Sequence, residues 1–237
     1  MKAIILKHPS PIETKPLELV DLPKPTIQPD EILIRVKACG ICHTDLHTVE
    51  GELNLPKLPI VPGHQIAGII EETGRDVKQL QKGDRVGVPW LYSTCGKCKF
   101  CQEDKENLCD NIRFTGFHVN GGYAEYAVAK ESFTYPLPKQ FTFEEVAPLL
   151  CAGIIGYRAL KLSEAKSKSR LGLYGFGASA HITIQVAIHQ DCEIYVFSRS
   201  EAHRKLAEKL GAIWTGSAAD NPTQKIDHAI IFVPSGN

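Results

Sequence analysis

The sequence has no net charge, no long apolar run and no internal repeat. Its 27 lysine and arginine residues balance 27 aspartate and glutamate residues, so overall charge indicates neither nucleic acid nor an anionic membrane as partner. No segment approaches the ~20 apolar residues of a transmembrane helix. The opening MKAIILK holds too short an apolar run for a secretion signal. We therefore expect a cytoplasmic protein with reduced thiols, whose partners are recognised at local sites.

Two different patterns divide the 237 residues into two predicted domains, at 1–143 and 144–237. The first part predicts an irregular β domain, because short alternating runs lie between loops rich in proline and glycine. Its strands are expected at 31–38, 65–71, 84–88 and 123–129. The second part alternates strands with helices, which predicts a parallel sheet with helical crossovers. Helices are expected at 144–162, 178–189 and 201–210, and strands at 171–174, 193–197, near 213 and at 226–233.

The boundary between the two domains is expected inside the helix at 144–162 or in the stretch 163–170 that follows it. That stretch is rich in serine and lysine, as linkers often are. The fold class is therefore α/β plus β, with a β domain followed by a doubly wound sheet.

Four cysteines have the spacing of a zinc site. Cys95, Cys98, Cys101 and Cys109 form a C-x2-C-x2-C-x7-C array in a predicted loop. Four thiolates satisfy the tetrahedral, sulfur-rich coordination of structural zinc, and two-residue gaps let adjacent sulfurs approach one ion. The alternative is a set of separate buried or disulfide-bonded cysteines, which fits the spacing and a reducing compartment less well. We predict a structural zinc site here.

A glycine turn follows the strand predicted at 171–174. Gly175, Gly177 and Ala180 form a G-x-G-x-x-A pattern that opens a predicted helix. The first glycine allows a tight turn, the second lets a pyrophosphate approach the backbone, and the small alanine lets helix and strand pack closely. An ordinary strand-to-helix turn could carry the same glycines, but the flanking strand and helix are the context that a dinucleotide site requires.

The end of the next strand indicates which dinucleotide is preferred. NAD-binding proteins of this kind usually place an acidic residue there to bind the ribose hydroxyls, whereas this chain has Ser198, Arg199 and Ser200. An arginine flanked by hydroxyls would bind a 2′-phosphate, and no carboxylate would repel it. We therefore predict a preference for NADP(H) over NAD(H). The alternative is a solvated arginine at a helix start.

A second cysteine motif, Cys39 to His43, has the C-x-x-C-H pattern that also marks haem attachment and redox sites. A c-type haem would need export, and a thioredoxin-like motif opens a helix in a βαβ unit instead of following a strand of a β domain. We therefore group Cys42 with two distant residues, His64 and Cys151. Cys39 and Cys192 are interpreted as core residues, because free cysteine is often buried.

These motifs together resemble the zinc-dependent alcohol dehydrogenases of the medium-chain dehydrogenase/reductase family. The segments CHTDLH (42–47), GH (63–64) and CAGI (151–154), the four-cysteine lobe and the glycine turn occur in the family's order and at its usual separations. The resemblance implies a GroES-like catalytic domain followed by a Rossmann sheet. It also implies two zinc ions per chain, a small alcohol or aldehyde as substrate, and a homo-oligomer for the full-length family.

The resemblance also implies the ligands of a catalytic zinc. Cys42, His64 and Cys151 would bind the metal and leave its fourth position for water or substrate. Asp45 would hold the His64 ring in its ligating tautomer.

The same resemblance implies a proton relay beside this metal. Thr44 would accept the alcohol proton, which would pass through the cofactor ribose to His47, and His43 would lie near the pyrophosphate. Without the resemblance, the segment from His43 to His47 would be interpreted as an ordinary helix start, with a cap and an N-terminal acid.

The chain departs from the family pattern at three places. Gln65 replaces the glutamate that commonly follows the ligand histidine, which predicts a more electrophilic zinc, and Ile155 replaces a threonine beside the nicotinamide. Only four of the six strands of a complete doubly wound sheet can be counted. The segment that returns to the β domain in the family cannot be found either. The fourth strand would then be an open edge, which predicts aggregation, altered assembly or low stability. The residues expected to be exposed are Ile230, Ile231, Phe232 and Val233.

Two function classes remain open. The first is an NADP(H)-preferring alcohol dehydrogenase or aldehyde reductase acting on a primary alcohol or aldehyde, with Trp90 favouring small or unbranched substrates if it narrows the pocket. The second is a catalytically impaired fragment that keeps zinc and partial nucleotide binding as an interaction module. The ligand set favours the enzyme, and the missing strands favour the module. The presence of both sets of metal ligands argues against a third class, the related quinone reductases, because those proteins bind no zinc.

Overall fold

The computed structural model describes residues 1–233 of the chain. Its contacts divide the chain into two compact units, one from Met1 to Cys151 and one that begins at Ala152. The sequence-based boundary between residues 143 and 144 lies upstream of this division. The difference arises because Val146, Ala147 and Leu150 pack around Ala67 of the first unit.

The first unit is mostly antiparallel β structure. Its strands are β1 (Lys2–Leu6), β2 (Leu17–Asp21), β3 (Glu31–Gly40), β4 (Gln65–Thr73), β5 (Arg85–Val88), β6 (Leu91–Ser93), β7 (Arg113–Phe114), β8 (Tyr126–Lys130) and β9 (Tyr135–Pro136). Its helices are α1 (His43–Glu50), α2 (Lys99–Gln102) and α3 (Phe143–Val146), with 3-10 turns at Ile12–Thr14, Glu106–Leu108, Glu131–Phe133 and Ala147–Leu150. The expected irregular β domain is therefore present.

Five of these strands form one sheet in the order β8-β3-β4-β5-β9. Each neighbouring pair is antiparallel, and alternate isoleucines and valines of β3, β4 and β5 form a buried core on one face. The pairing of β3 with β4 ends at Gly40 opposite Gln65. The segment that leaves β3 and the segment that enters β4 are therefore neighbours, which matters for the site described below.

The single helix expected at 144–162 is wrong. The structure has α3, then the 3-10 turn Ala147–Leu150, and then a new helix that begins at Ala152. Pro148 lies at the start of the 3-10 turn, where it has no N–H to donate, and Cys151 has φ −132° and ψ −70°, outside the helical region. This break separates the last residue of the first unit from the helix that opens the second.

Within residues 152–233, the second unit is a four-stranded parallel sheet with three helices. Its strands are β10 (Arg170–Tyr174), β11 (Glu193–Phe197), β12 (Trp214–Gly216) and β13 (His228–Ile231), and its helices are α4 (Ala152–Ser163), α5 (Ala178–His189) and α6 (Glu201–Lys209). The sheet order is β12-β11-β10-β13, with all neighbours parallel. Counted within the unit, this is the 3-2-1-4 order of a doubly wound fold, so the expected fold class is confirmed.

The edge strand β13 is shorter than expected and only partly exposed. The prediction that Ile230 is exposed is wrong, because its side chain is 7% exposed and packs in the core of the second unit. Ile231 is 71% exposed and Val233 is 45% exposed, while Phe232 packs partly against the same core. Backbone groups at the edge of a sheet are unpaired. Side chains alternate between the two faces of the strand, however, and those on the face that meets the core do not reach solvent.

No single helix in residues 1–233 is long and apolar enough to cross a membrane; Phe143–Leu150 and Ala152–Ser163 meet that criterion only when counted together across the break at Cys151.

Candidate metal centres and nucleotide site

The first candidate metal centre is formed by three segments of the first unit. Cys42 immediately precedes α1, His64 immediately precedes β4, and Cys151 lies at the break before α4. The pairing of β3 with β4 sets the first two beside each other. The sulfurs of Cys42 and Cys151 are 3.9 Å apart, and the donor atoms of all three residues lie within 4.8 Å of one another.

One nitrogen of the His64 ring has no hydrogen-bond partner among residues 1–233. The residue is 1% exposed, and its Nδ1 lies 3.0 Å from Asp45 Oδ1. Its Nε2 is buried and has no hydrogen-bond partner among the described residues. A buried unpaired nitrogen costs free energy, and a bound ligand removes that cost. Two thiols and an imidazole are donors that zinc prefers, so these residues fit a zinc ion.

Asp45 joins the two segments that carry Cys42 and His64. It is 5% exposed, and its Oδ1 contacts His64 Nδ1 while accepting a 3.2 Å hydrogen bond from the Gly63 backbone N–H. Its Oδ2 accepts a 2.9 Å bond from the backbone N–H of Cys42. The carboxylate therefore fixes the ring orientation of one donor and the backbone of another, which leaves Nε2 of His64 for a metal.

The charges of this cluster suit the binding of a cation. The Cys151 thiol and then His64 hold the pKa of Cys42 well below its usual range. Burial opposes charge on the His64 ring, but Asp45 and the adjacent Cys42 raise its pKa to about 9. The Cys42 sulfur and burial raise the pKa of Cys151. A divalent cation would take the place of the protons on His64 and Cys151.

The residues expected to relay a proton lie along α1. Thr44 Oγ1 is 3.8 Å from Cys42 Sγ. The His47 ring lies 5.1 Å from the exposed ring of His43, centroid to centroid. His47 Nδ1 is also 2.7 Å from Glu52 Oε2, a distance for an ion pair. Sequence reasoning missed Glu52, because it follows the helix and belongs to no motif.

Aromatic rings form a wall beside the His64 ligand. Trp90 meets the His64 ring edge-on at 4.9 Å and stacks on Phe114 at 4.6 Å, while Phe117 lies 5.8 Å from Trp90. The sequence had indicated only Trp90. Phe114 and Phe117 were missed because their contact with Trp90 depends on a loop that brings distant residues together.

The two substitutions noted against the family pattern have different surroundings. Gln65 is 3% exposed, and a Cβ atom added at Gly40 would lie 2.5 Å from Gln65 Oε1, so the amide fills the space that a glycine leaves. Ile155 is 52% exposed on α4. Gln65 is thus a packed residue directly after the ligand His64, whereas Ile155 offers an apolar side chain on the surface of its own unit.

The four-cysteine array forms a second cluster. The donor atoms of Cys95, Cys98, Cys101 and Cys109 lie within 4.8 Å of one another, with sulfur–sulfur distances of 3.5 Å for Cys98–Cys101 and 4.0 Å for Cys95–Cys101. A tetrahedron with Zn–S bonds of about 2.3 Å has edges of roughly 3.8 Å. Backbone N–H groups donate to the sulfurs of Cys95 and Cys109, which favours thiolates. The cluster therefore fits a zinc ion.

The glycine turn joins β10 to α5. Gly175 has φ +90°, and a Cβ atom there would lie 2.7 Å from Val233 Cγ1, whereas a Cβ atom at Gly177 would meet nothing within 4 Å. Gly177 caps the N-terminus of the twelve-residue helix α5, and Ala180 is fully buried against the core. Open space in front of a helix N-terminus is what an incoming pyrophosphate needs.

One cavity of about 440 Å³ brings the turn and the end of β11 together. Its lining includes Gly175, Gly177, Ser198, Arg199 and Ser200. The residues that sequence analysis assigned to the nucleotide in this unit therefore share one cavity, except Ala180, whose role is packing. His43 belongs to the first unit.

Two residues of α6 that sequence reasoning missed complete this region. Ser200 caps the helix by accepting a bond from the backbone N–H of His203, and His203 is one of the residues that line the cavity. Arg204 Nη1 donates to the carbonyl of Ser198 at 2.7 Å and to that of Arg199 at 3.2 Å. The guanidinium therefore holds the backbone that presents Arg199.

Comparison with known proteins gives one family match and many relatives. Residues 28–139 match the alcohol dehydrogenase GroES-like domain. The chain is 47% identical over its whole length to the "Probable alcohol dehydrogenase AdhA" of Mycobacterium tuberculosis, of which it spans 70%. It is 43% identical to an alcohol dehydrogenase of Geobacillus stearothermophilus over 84% of its own length, and spans 59% of that relative.

Solved structures agree with these relatives. The whole chain superposes on 71% of a structure described as CAD from Helicobacter pylori complexed with NADP(H), with a TM-score of 0.88 and 31% identity. A cobalt- and zinc-bound thermostable alcohol dehydrogenase from Pyrobaculum aerophilum matches 91% of the chain with a TM-score of 0.82 and 27% identity, over 65% of its own chain. A GroES-like domain followed by a Rossmann-type sheet is therefore confirmed.

Proposed function

The chain belongs to the zinc-dependent alcohol dehydrogenases of the medium-chain dehydrogenase/reductase family, and on that basis we propose that it transfers hydride between NADP(H) and a primary alcohol or aldehyde. The activity is proposed for the protein as a whole, because the chain spans 59% to 70% of the two relatives' lengths.

One observation carries this proposal most directly. Cys42, His64 and Cys151 converge with their donor atoms within 4.8 Å of one another, and Nε2 of His64 is buried without a hydrogen-bond partner in the described residues. Three protein donors are the number that a catalytic zinc uses, because the fourth position is left for water or substrate. A zinc bound there would supply Lewis acidity to the substrate oxygen.

The residues of this chain would then handle the proton. Thr44, whose hydroxyl is 3.8 Å from Cys42 Sγ, would accept the alcohol proton, and His47 would be the side chain that holds the proton at the end of the relay. Asp45 would keep the ligating tautomer of His64 by its 3.0 Å contact with Nδ1. His43 would contribute to the pyrophosphate. These roles are the ones that family membership implies for the matching residues of this chain.

The proposed preference for NADP(H) rests on the end of β11. Arg199 is exposed at the rim of the cavity that the glycine turn lines, between Ser198 and Ser200. No acidic residue lines this cavity in the part of the chain that the structure describes, so nothing there would repel a 2′-phosphate. The Helicobacter pylori relative was solved with NADP(H).

We propose a second, structural zinc at Cys95, Cys98, Cys101 and Cys109, which gives two zinc ions per chain. The sulfur distances of 3.5 and 4.0 Å support it. We also propose that residues 1–143 act as the catalytic domain and 144–237 as the dinucleotide-binding domain, and that the protein works in the cytoplasm, where eight free cysteines would stay reduced.

Turnover assays test the proposal. The zinc-loaded chain should oxidise NADPH faster than NADH with a panel of primary aldehydes. The Cys42→Ser variant should lose that activity, whereas Cys192→Ala, a buried cysteine outside both clusters, should keep it. Absence of turnover with both zinc ions and NADPH bound would contradict the enzyme and favour the alternative of a zinc- and nucleotide-binding module.

A further inference from the structure

The chain turns back at the end of helix α1 and brings Glu52 against His47, the side chain proposed to hold the proton at the end of the relay. Gly51 follows the helix with φ +80°, in the left-handed region, and its backbone N–H donates to the His47 carbonyl. The backbone N–H of Glu52 donates to the same carbonyl at 3.0 Å. A left-handed cap of this kind directs the chain back over the last helical turn. The side chain of Glu52 then reaches His47, with Oε2 2.7 Å from Nδ1.

The N-terminal segment holds this helix end in place. A Cβ atom added at Gly51 would lie 2.8 Å from Pro9 Cβ, so Pro9 packs closely against the turn. The backbone N–H of Ile12 donates to Glu50 Oε1 at 3.1 Å. The turn that presents Glu52 is therefore fixed by packing and hydrogen bonds on both of its sides.

The 2.7 Å contact determines which nitrogen of a neutral His47 ring carries the proton. Nδ1 is buried, although the His47 side chain as a whole is 37% exposed. A neutral imidazole has a proton on one nitrogen and a lone pair on the other. A lone pair on Nδ1 would face the negative oxygen of Glu52 at 2.7 Å and be repelled by it. The proton is therefore favoured on Nδ1, which leaves the lone pair on Nε2.

We infer that Glu52 is a positioning residue of the proposed relay: its carboxylate keeps the proton of neutral His47 on Nδ1, so that Nε2 accepts the relayed proton. This inference rests on the proposed function. Glu52 takes up no proton itself. The relayed proton is held at Nε2, and the imidazolium that results has its positive charge beside the carboxylate, which is favourable.

The two carboxylates within α1 are engaged elsewhere. Asp45 is turned to the interior, where its Oδ1 lies 3.0 Å from His64 Nδ1, and Glu50 bonds to the N-terminal segment. Neither of them is paired with His47 in the part of the chain that the structure describes. Glu50 is therefore a matched control, because it is an acidic residue at the same helix end, two positions from Glu52.

The first test observes the ring nitrogens and needs no turnover. The 15N chemical shifts of the His47 imidazole, assigned by their absence in His47→Gln, are measured for the wild type, Glu52→Ala and Glu50→Ala. A pH of about 8.5 lies above the range in which imidazoles commonly become charged. We expect the proton on Nδ1 in the wild type and in Glu50→Ala, and a shift of the proton toward Nε2 in Glu52→Ala. A wild-type ring with its proton on Nε2, or unchanged shifts in Glu52→Ala, would overturn the inference.

The second test measures turnover. Glu52→Ala should lower kcat by about 10-fold, which is part of the roughly 100-fold or more that a general acid–base residue contributes. The KM for the aldehyde and the NADPH dissociation constant should not change, and Glu50→Ala should keep the wild-type kcat.

A double variant separates an effect through His47 from a structural effect. In the His47→Gln background, Glu52→Ala should cause no further loss, because a residue that acts through another is not additive with it. The same 10-fold loss in that background would contradict a role through His47. Since the Glu52 side chain is 59% exposed, Glu52→Ala should also melt at the wild-type temperature.

The outcomes distinguish this inference from the proposed function. If His47→Gln slows turnover while Glu52→Ala does not, only the inference on Glu52 fails. If the zinc-loaded wild type shows no turnover with NADPH bound, the proposed function fails, and the inference fails with it.

Discussion

Asp45 Oδ1 lies 3.0 Å from Nδ1 of His64 in the interior of the first unit, where both side chains are almost fully buried. This contact decides which ring nitrogen is free. Because the carboxylate also accepts bonds from the backbone N–H groups of Cys42 and Gly63, it holds two of the three zinc donors in place.

Replacing Asp45 by asparagine should therefore weaken zinc binding at the first centre. The amide keeps the shape but loses the charge and can no longer act only as an acceptor, so zinc affinity should fall by about 10- to 100-fold. Zinc release to a chelator, followed by a colorimetric indicator, measures this. Asp76→Asn, at an exposed position, is the control; equal release rates for the two variants would contradict the role given to Asp45.

Removing one ligand of the second cluster should remove one zinc ion and lower stability. Cys109 is 4% exposed and accepts a backbone bond from Cys95, so Cys109→Ser should empty that cluster alone. We expect the melting temperature to fall by about 5 °C or more. Zinc content and thermal unfolding are measured together; a variant that keeps both ions would show that the four cysteines do not form one site.

Replacing His47 by glutamine should slow turnover without changing cofactor binding. General acid–base residues typically contribute about 100-fold or more, and His47 is the last member of the proposed relay. The steady-state kcat and the NADPH dissociation constant are compared with those of His189→Gln, at the exposed end of α5. An unchanged kcat would remove His47 from the relay.

An alanine at Gly177 should block the cofactor while leaving the fold intact. A Cβ atom there meets no protein atom within 4 Å, and the backbone has φ −87° and ψ −162°, which any residue adopts. NADPH and NADH should both bind at least about 10-fold more weakly, because the methyl group takes the space of the pyrophosphate. Cofactor titration and a melting curve check this. Normal cofactor affinity would show that no phosphate approaches this turn.

Replacing Arg199 by alanine should reduce NADPH affinity by about 10-fold or more, since hydrogen bonds to charged groups contribute about 1.5 to 3 kcal/mol. NADH affinity should change little. Lys205→Ala, on the helix α6 that follows Arg199 and paired with Glu201, serves as the control. Equal losses for both cofactors would mean that Arg199 supports the fold of the cavity and does not select the phosphate.

The sequence predicted the regular elements well where one periodicity dominates. Helix α5 at Ala178–His189 and strand β11 at Glu193–Phe197 have the predicted bounds, because each is a short, uninterrupted apolar pattern between turn residues. The helix expected at 144–162 was wrong, since Pro148 and the conformation of Cys151 interrupt it. A periodic pattern does not show such a break when apolar residues continue on both sides.

The site residues, too, could be predicted only where a local sequence motif identifies them. The spacing of Cys95, Cys98, Cys101 and Cys109 identified one cluster, and the family resemblance identified Cys42, His64 and Cys151. The structure brings the residues of each set together. Glu52, Phe114, Arg204 and His203 could not be found in this way, because their contacts depend on the tertiary path of loops and on helix faces. The burial of Ile230 also depends on which face of β13 meets the core.

The catalytic role of the first metal centre is tested most directly by zinc add-back to the chelator-treated chain, with NADPH-dependent aldehyde reduction followed against the zinc content of each sample. We predict that activity disappears with the ion at Cys42, His64 and Cys151 and returns when that ion is restored, while the second ion at the four cysteines is retained throughout. Activity that persists after that ion has gone would contradict the catalytic role of the first metal centre. So would the absence of activity when both sites are filled and NADPH is bound.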